Sequence, residues 1–517
     1  MNILKALKIV LFVLASTTLS LGQYVGDAFR FSEITQTGTA RFQGVGGNHA
    51  GLGGDASAVS GNPAGLGFYN RSELSISPSF NSINTSSTYI NRITTDSKIN
   101  PNVAQASLII AGSPQSINSK WKRTSIGISY TRQQSFQNVF NYSGRNNRSA
   151  YADAAIEKAN NRNISSEELD KDYDTKTQTA NSLDGAYYQL YMINPSTALG
   201  PPYVRYDREI PTDQSGTFES TGAHTDWSFA YAGNYDDKLY VGASVSFNRI
   251  RYNYTNSLND TFVNGTVFRG SNHTEDLQVS GNGVKVSLGI IYKASPQIQF
   301  GASVTSPTFS TMKETFNEIV SADIIGIPTQ DPNGNPTTFV PDVTQIGLVP
   351  YDFEYSITGP FRASGGITYF VGKGGFITGT LEYVGYPGMR VSTTNLSAID
   401  NSDFRNNNKR EVQNTYNSAV NVRLGGEYRL GVFRARAGVA YLSDPYRVKF
   451  DNINRSKVLL SGGVGFRSER FFVDVTGIYN TYKSAFTPYN LNNSRDYASV
   501  DITNRSVNVL FSLGTFF

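Results

Sequence analysis

Apolar and polar residues take turns, position by position, in run after run between Glu73 and the C-terminal Phe517, each run lasting about ten residues. Two residues per repeat is the period of a β-strand, so every run has one apolar and one polar face. Val284, Val286, Leu288, Ile290 and Tyr292 alternate with Lys285, Ser287, Gly289 and Ile291, and after a turn at Lys293 to Gln297 the pattern resumes through Ile298, Phe300, Ala302 and Val304. Trp227, Phe229 and Tyr231 lead through Tyr235-Asp236-Asp237-Lys238 into Leu239 to Phe247, a second hairpin. Four more hairpins read the same way at 104–133, 361–385, 418–441 and 457–480. With lone strands at 73–81 and 505–517 the count is about fourteen.

Connection lengths sort by side. Inside each hairpin the turn is a few residues; between hairpins come long polar loops, Gln134 to Thr225, Pro307 to Pro360 and Tyr386 to Asn417. This strict alternation is the pattern of an outer-membrane barrel with both termini in the periplasm, whereas a soluble sandwich or propeller has no reason to produce it. The expected fold class is all-β, a transmembrane antiparallel β-barrel of about fourteen strands. Asp236, Val371 to Gly374 and Glu469 are expected at the periplasmic end and Ser149 to Asp172 outside. Within that outer loop Ser149 to Asn160 reads as helix, and Ser165 with Glu168 has capping-box spacing.

Composition removes the competing classes. The chain has no Cys and 3 His, which excludes a disulfide scaffold and a Cys-ligated metal, and a histidine-built centre would need all three. After the N-terminus there is no apolar run of about 20 residues for a helical span. Lys5 and Lys8 precede the apolar stretch Ile9 to Ala15, with small Ser20 and Gly22 ahead of Gln23, so residues 1–22 read as a signal peptide. Its removal takes the charge from 45 − 41 to 43 − 41, near neutrality, which argues against nucleic acid.

Residues 23–72 do not alternate. They carry many glycines together with Phe29, Phe31, Phe42, Val45, Leu52, Val59, Leu66 and Phe68, more apolar content than a solvated tail needs. A barrel of about fourteen strands leaks unless something fills it, so the segment is expected to be a compact hatch inside the barrel 73–517.

The run Gly38 to Gly47, the run Ala50 to Ala58 and then Gly61-Asn62-Pro63-Ala64-Gly65-Leu66-Gly67 resemble the N-terminal hatch of the FadL family of long-chain fatty acid transporters, most of all its Bacteroidetes-type members. Weaker echoes follow at 306–309, 381–384, 421–428 and 461–465. The resemblance implies a fourteen-stranded barrel with the hatch motif Asn62, Pro63 and Ala64. It also implies uptake through outer loops, a pocket against the hatch, and lateral exit at a kinked third strand.

From the residues themselves, Arg362, Glu382, Arg423, Glu427, Arg434, Arg436, Arg467 and Asp474 all fall on the face opposite the apolar one, and charges do not face lipid. They are expected as a luminal network that braces the hatch, with some arginines available to a substrate carboxylate. Tyr187, Tyr188, Tyr191 and Met192, with Phe316, Ile319, Ile324 and Ile325, make two outer loops unusually apolar and are expected to form a capturing groove or else a small loop core. Pro78, which cannot donate a ladder bond, and Gly127 are the candidates for the lateral gap. Gly44 to Gly47 has no strand before it or helix after it to be a dinucleotide loop. His224 with Asp226 is expected as polar rim at a strand mouth, and His49 and His273 stand apart, so no enzyme activity, metal or cofactor is expected. The expected protein is a monomeric passive channel, set in outer-membrane lipid and lipopolysaccharide, for a hydrophobic or amphipathic small molecule such as a long-chain fatty acid. An interaction barrel resembling a type IX secretion component is the alternative, and a polar porin a third option.

Overall fold

A computed structural model describes residues 17–34, 37–112, 119–198, 200–447 and 453–517. Lys5, Lys8 and the apolar stretch of the expected signal peptide lie outside the described residues. Fourteen antiparallel strands run in chain order: β1 (Glu73–Tyr89), β2 (Arg92–Gly112), β3 (Trp121–Ser135, resuming at Asn138–Asn146), β4 (Thr212–Tyr235), β5 (Leu239–Phe262), β6 (Phe268–Lys293) and β7 (Ile298–Thr305, resuming at Phe309–Ile324). There follow β8 (Tyr351–Thr358, resuming at Arg362–Phe370), β9 (Gly375–Val384), β10 (Ala419–Leu430), β11 (Phe433–Leu442), β12 (Lys457–Arg467), β13 (Phe471–Phe486) and β14 (Val500–Phe516). Each pairs with its neighbours in sequence, and β14 returns to pair with β1 from Glu73↔Phe516 to Thr88↔Asp501, which closes the barrel and leaves no edge. Ser72 and Phe517 exchange backbone bonds of 3.0 and 3.1 Å where the two ends of the barrel chain meet.

Alternation dictates the wall. Leu288, Ile377, Leu424 and Val464 point outward and are more than half exposed, while their neighbours Ser287, Thr378, Arg423 and Gly463 point inward. No helix among the described residues is long and apolar enough to cross a membrane; the strands do so. At one end the turns at 236–238, 294–297, 371–374, 431–432 and 468–470 are all short, and Asp236 and Asp237 take positive φ (56° and 52°) in theirs.

The other end departs from the expected loop pattern. β4, β5 and β6 are 24, 24 and 26 residues long, whereas about 9 to 11 residues cross a bilayer, so their upper halves stand above it. Much of the expected loop 134–225 is therefore strand, through Asn146 and again from Thr212, and 307–360 holds Phe309–Ile324 and Tyr351–Thr358. Two outer connections, Ile90-Asn91 and residues 263–267, are tight. The reason is a change of phase. On β6 the apolar face is outward at Val284 to Tyr292 but inward at Leu277 and Val279; on β5 it is outward at Val245 and Phe247 but inward at Ile250 and Tyr252. Lipid surrounds the lower half and water the upper half, so apolar side chains turn inward above the bilayer edge.

One helix, α1 (Thr17–Ser32), lies in the N-terminal segment, and the outer loops carry α2 (Ala152–Arg162), α3 (Ser166–Lys171), α4 (Leu183–Gln189) and α5 (Ala398–Thr415). The Ser165 and Glu168 capping box is formed, each side chain accepting the other's backbone N–H (3.3 and 3.1 Å).

Candidate functional site

The segment 23–72 lies inside the barrel, and its backbone rests directly on the wall. Three pairs of inward-facing glycines stand opposite one another in register: Gly242↔Gly289, Gly301↔Gly366 and Gly425↔Gly438. Each pair forms a flat landing. A Cβ on Gly289 would meet Asn62 Oδ1 at 1.9 Å, one on Gly301 the Ala50 carbonyl at 1.8 Å, and one on Gly425 the Val45 carbonyl at 2.2 Å. No side chain other than hydrogen fits there.

The Asn62-Pro63-Ala64 corner sits on the first landing. Asn62 is fully buried; its Oδ1 accepts from the Ala64 N–H (3.1 Å), and its Nδ2 donates to the Ala50 carbonyl (2.7 Å) and, at 3.3 Å, to the Ile290 and Ala302 carbonyls of β6 and β7. Pro63 opens a 3₁₀ turn, Pro63–Phe68, where its missing N–H costs nothing. One side chain thus caps a helix, closes a hatch loop and grips two strands of the wall. Further along, Thr476 Oγ1 donates to the Ala40 carbonyl (2.6 Å), and the Ala40 N–H donates to Ser512 Oγ (2.7 Å).

The charged residues of the second half do face inward, and most are already paired. Arg423 donates to Glu382 (2.9 Å), which Arg362 approaches at 3.6 Å; Arg362 also donates to the Ser32 carbonyl (2.8 Å). Arg436 joins Glu427 (2.8 Å) to Asp474 (2.5 Å), and Glu427 also meets Arg429 (2.8 Å) and Arg41 of the hatch (3.3 Å). Arg434 and Arg467 stand apart: Arg434 donates to the Gly431 and Phe433 carbonyls at the short-turn end, and Arg467 lies over the Phe472 and Phe516 rings. His224 and Asp226 are not a rim. They are buried in the lumen, with Asp226 between Lys285 Nζ (2.6 Å) and His224 Nε2 (3.3 Å). His49 is held by Ser364 (3.0 Å).

The weakest seam of the wall runs between β2 and β3. Their backbones pair from Gly112↔Thr124 to Gln105↔Thr131 and stop there, while β3 bulges at Gln133 against β4 and loses strand geometry at 136–137. Above that point no backbone-to-backbone pairing joins the two among the described residues: Asn100 Nδ2 donates to Ser135 Oγ (2.9 Å), and the Asp96 carboxylate accepts from the backbone N–H (2.7 Å) and side chain (2.5 Å) of Asn141. Behind the seam is a luminal cavity of about 250 Å³, bounded by Asn102 and Ala104 of β2, Arg132 and Gln133 of β3, and Glu33, Thr37 and Gln43 of the N-terminal segment, with Asn508 of β14 and Asn480 of β13 further along the wall. A larger apolar concavity, about 510 Å³ among Val371, Ile377, Tyr428 and Ala435, opens on the lipid face and not into the lumen.

Neither candidate for the gap is at this seam's open part. Gly127 pairs on both sides, with Ile109 and Ala230, and a Cβ there would meet Val59 and Leu66 of the hatch at 2.7 and 2.9 Å, so the wall is closed at Gly127. Pro78 sits at a bulge of β1, opposite Val103, one strand away. The break falls instead at Arg132 to Gln137, where the sequence is polar apart from Phe136 and carries no glycine or proline to mark it.

The apolar outer residues do not assemble into an open groove. Tyr187, Met192 and Ile324 are buried in a closed core of the cap with Tyr151, Leu190 and Phe268, and Tyr188 packs on its side. Phe316 points inward to a separate cluster around Tyr24, Tyr252 and Tyr355, while Ile319 and Ile325 point outward and Tyr191 is exposed beside Phe339. Phe316, Ile319 and Ile324 belong to β7, so alternation divides them between its two faces. In the cap, burial pushes the Glu209 carboxyl well above its ordinary range against the opposing pull of Arg205, 4.0 Å away.

No protein-family model matches this sequence, and neither does any curated protein. Solved structures do resemble the fold. A FadL homologue of Pseudomonas aeruginosa is similar with a TM-score of 0.52 at 12% identity, covering 94% of this chain and 99% of that one. The deltaS2 mutant of the TodX monoaromatic hydrocarbon channel is similar with a TM-score of 0.50 at 11% identity, covering 93% and 98%. The chain has the FadL-type fold, that of a multi-pass outer-membrane β-barrel.

Proposed function

We propose that this barrel is a passive channel that takes up a hydrophobic or amphipathic small molecule, receives it in the cavity behind β2 and β3, and releases it sideways through the seam between those strands. The carrying observation is the loss of backbone pairing above Gln105↔Thr131 directly beside that cavity. A solute leaving there needs to displace only the Asn100–Ser135 and Asp96–Asn141 contacts rather than a ladder of backbone bonds. Residues 23–72 act as the hatch that keeps the lumen closed beneath it, seated on the three glycine landings. The similar structures are a FadL homologue and a monoaromatic hydrocarbon channel, which supports an apolar or amphipathic cargo of the fatty acid or small hydrocarbon class. The cavity lining mixes Leu459, Ile478 and Leu510 with Arg132, Asn480 and Asn508, which favours an amphipathic cargo over a purely apolar one. The paired state of Arg423 and Arg436 favours bracing of the hatch over capture of a carboxylate. The chain's residues are proposed to carry out no covalent chemistry.

The natural absence of cysteine makes the test clean. Asn100→Cys with Ser135→Cys, joined in intact cells by a short bismaleimide that each thiol alkylates by addition, closes the seam. Uptake of labelled oleate and of toluene is expected to fall to the level of cells lacking the protein, and each single variant treated alike is expected to transport normally. Full uptake with the cross-link complete would falsify exit through this seam.

A further inference from the structure

Above the bilayer, β6 and β7 place three ligand-type side chains on one inner patch of the cap. His273 and Glu275 are two positions apart on β6, hence on one face, and the register sets Glu275 directly opposite Glu318 of β7. His273 Nε2 lies 3.1 Å from Glu318 Oε1 and Nδ1 lies 3.8 Å from Glu275 Oε1. One donor atom from each of the three falls within 4.8 Å of the others. Tyr151 covers the imidazole with ring centroids 4.1 Å apart, and Asn256 Nδ2 holds the second oxygen of Glu275 at 3.2 Å.

Two observations call for a cation. Like charges directly opposite on a ladder repel, and among the described residues neither glutamate pairs with a lysine or an arginine. Moreover, His273 is only 1% exposed and its Nδ1 has no hydrogen-bond partner, although Glu275 Oε1 stands 3.8 Å from it. A bridging imidazolium would donate through both nitrogens, whereas here one nitrogen is left unmet in a buried site. A metal ion would use an imidazole lone pair and both carboxylates at once. One imidazole with two carboxylates is a donor set for zinc and its first-row neighbours, while calcium and magnesium take all-oxygen shells.

We propose that His273, Glu275 and Glu318 bind a divalent first-row transition ion, with Zn²⁺ as the matched probe, and that this ion ties β6 to β7 beneath Tyr151 and fastens the cap. The reading does not depend on what the channel carries.

The test uses the full-length barrel purified in detergent and stripped with a chelator. Calorimetric titration with Zn²⁺ is expected to show one equivalent bound, matched by elemental analysis after dialysis, with no comparable binding of Ca²⁺ or Mg²⁺. Glu318→Gln, which keeps the side chain's volume, and His273→Gln are each expected to weaken binding by at least about 100-fold, the upper end of what loss of an outer-shell partner costs. Zn²⁺ should also slow trypsin cleavage of the cap in the wild type and not in the variants. Heat-modifiable gel migration reports the folded barrel, so a cap defect in one variant is recognised and the other carries the comparison. Absence of stoichiometric Zn²⁺ binding to the wild type, unweakened binding by a folded variant, or a preference for Ca²⁺ would each overturn the proposal.

Discussion

Where the N-terminal segment meets the lower barrel, backbone lies on backbone; where the outer loops meet the upper barrel, side chains interlock around Tyr151, Tyr187 and Phe268. The lower contact is made by paired glycines and closed by the ion pair of Arg41 with Glu427, which Arg436 also holds from the wall side. The upper one is an ordinary apolar core that nonetheless buries Glu209 with neither carboxylate oxygen hydrogen-bonded. The difference is one of tolerance. A glycine landing accepts no added atom, because the wall on one side and the hatch backbone on the other are both fixed. A side-chain core loses stability by degrees, through cavities and repacking. The lower contact is thus the one that fails at a single substitution, and the upper one the one that opens locally.

The largest effect is expected at a landing. Gly425→Val puts a Cβ 2.2 Å from the Val45 carbonyl oxygen, far inside contact distance, and should unseat the hatch while the barrel stays folded on a gel. Ion conductance in planar bilayers and sensitivity to small hydrophilic antibiotics should both rise. A variant that stays closed would show that the glycine pairs do not seat the hatch.

A smaller and local effect is expected from Tyr187→Ala, which removes a fully buried ring from the cap core at a cost of about 3 to 5 kcal/mol. Protease added to intact cells should then cut within 152–205 while conductance stays at the wild-type level. Conductance that rises with cap cleavage would mean that the two regions close the lumen together.

The smallest effect concerns Glu209. Its carboxyl is raised in the folded cap, chiefly by burial, so its contribution is fully present below the ordinary carboxylate range and is lost as pH rises through the raised value. Glu209→Gln should therefore increase hydrogen-exchange protection around 206–211 at about pH 7.5 and change it little at about pH 3, where the wild-type carboxyl is protonated folded and unfolded alike. A variant equally protective at both pH values would assign the gain to something other than charge.

Asn62, Pro63 and Ala64 were marked by their resemblance to a family motif, and the corner they form is local: its cap, its turn and its φ are decided by three adjacent residues. The inward charges were legible from alternation alone, though Arg434 and Arg467 lie too near the short-turn end to join the network. Gly127 misled because a glycine in a strand marks close approach as readily as a gap, and here it marks the approach of Val59 and Leu66. The cap residues misled because 307–360 was read as loop, and without strand phase Phe316, Ile319 and Ile324 could not be divided between two faces.

Periodicity by itself determined that this chain forms an antiparallel barrel, which face of each lower strand meets lipid, and where the short turns fall. Those properties follow from the side-chain period of a strand and the cost of placing charge in hydrocarbon, both local. Tertiary structure alone decided the landings, the open seam and the Glu275–Glu318 juxtaposition. Each depends on register between strands, as in Gly242 against Gly289 forty-seven positions away (289 − 242), and a one-residue slip would turn every one of these side chains to the opposite face.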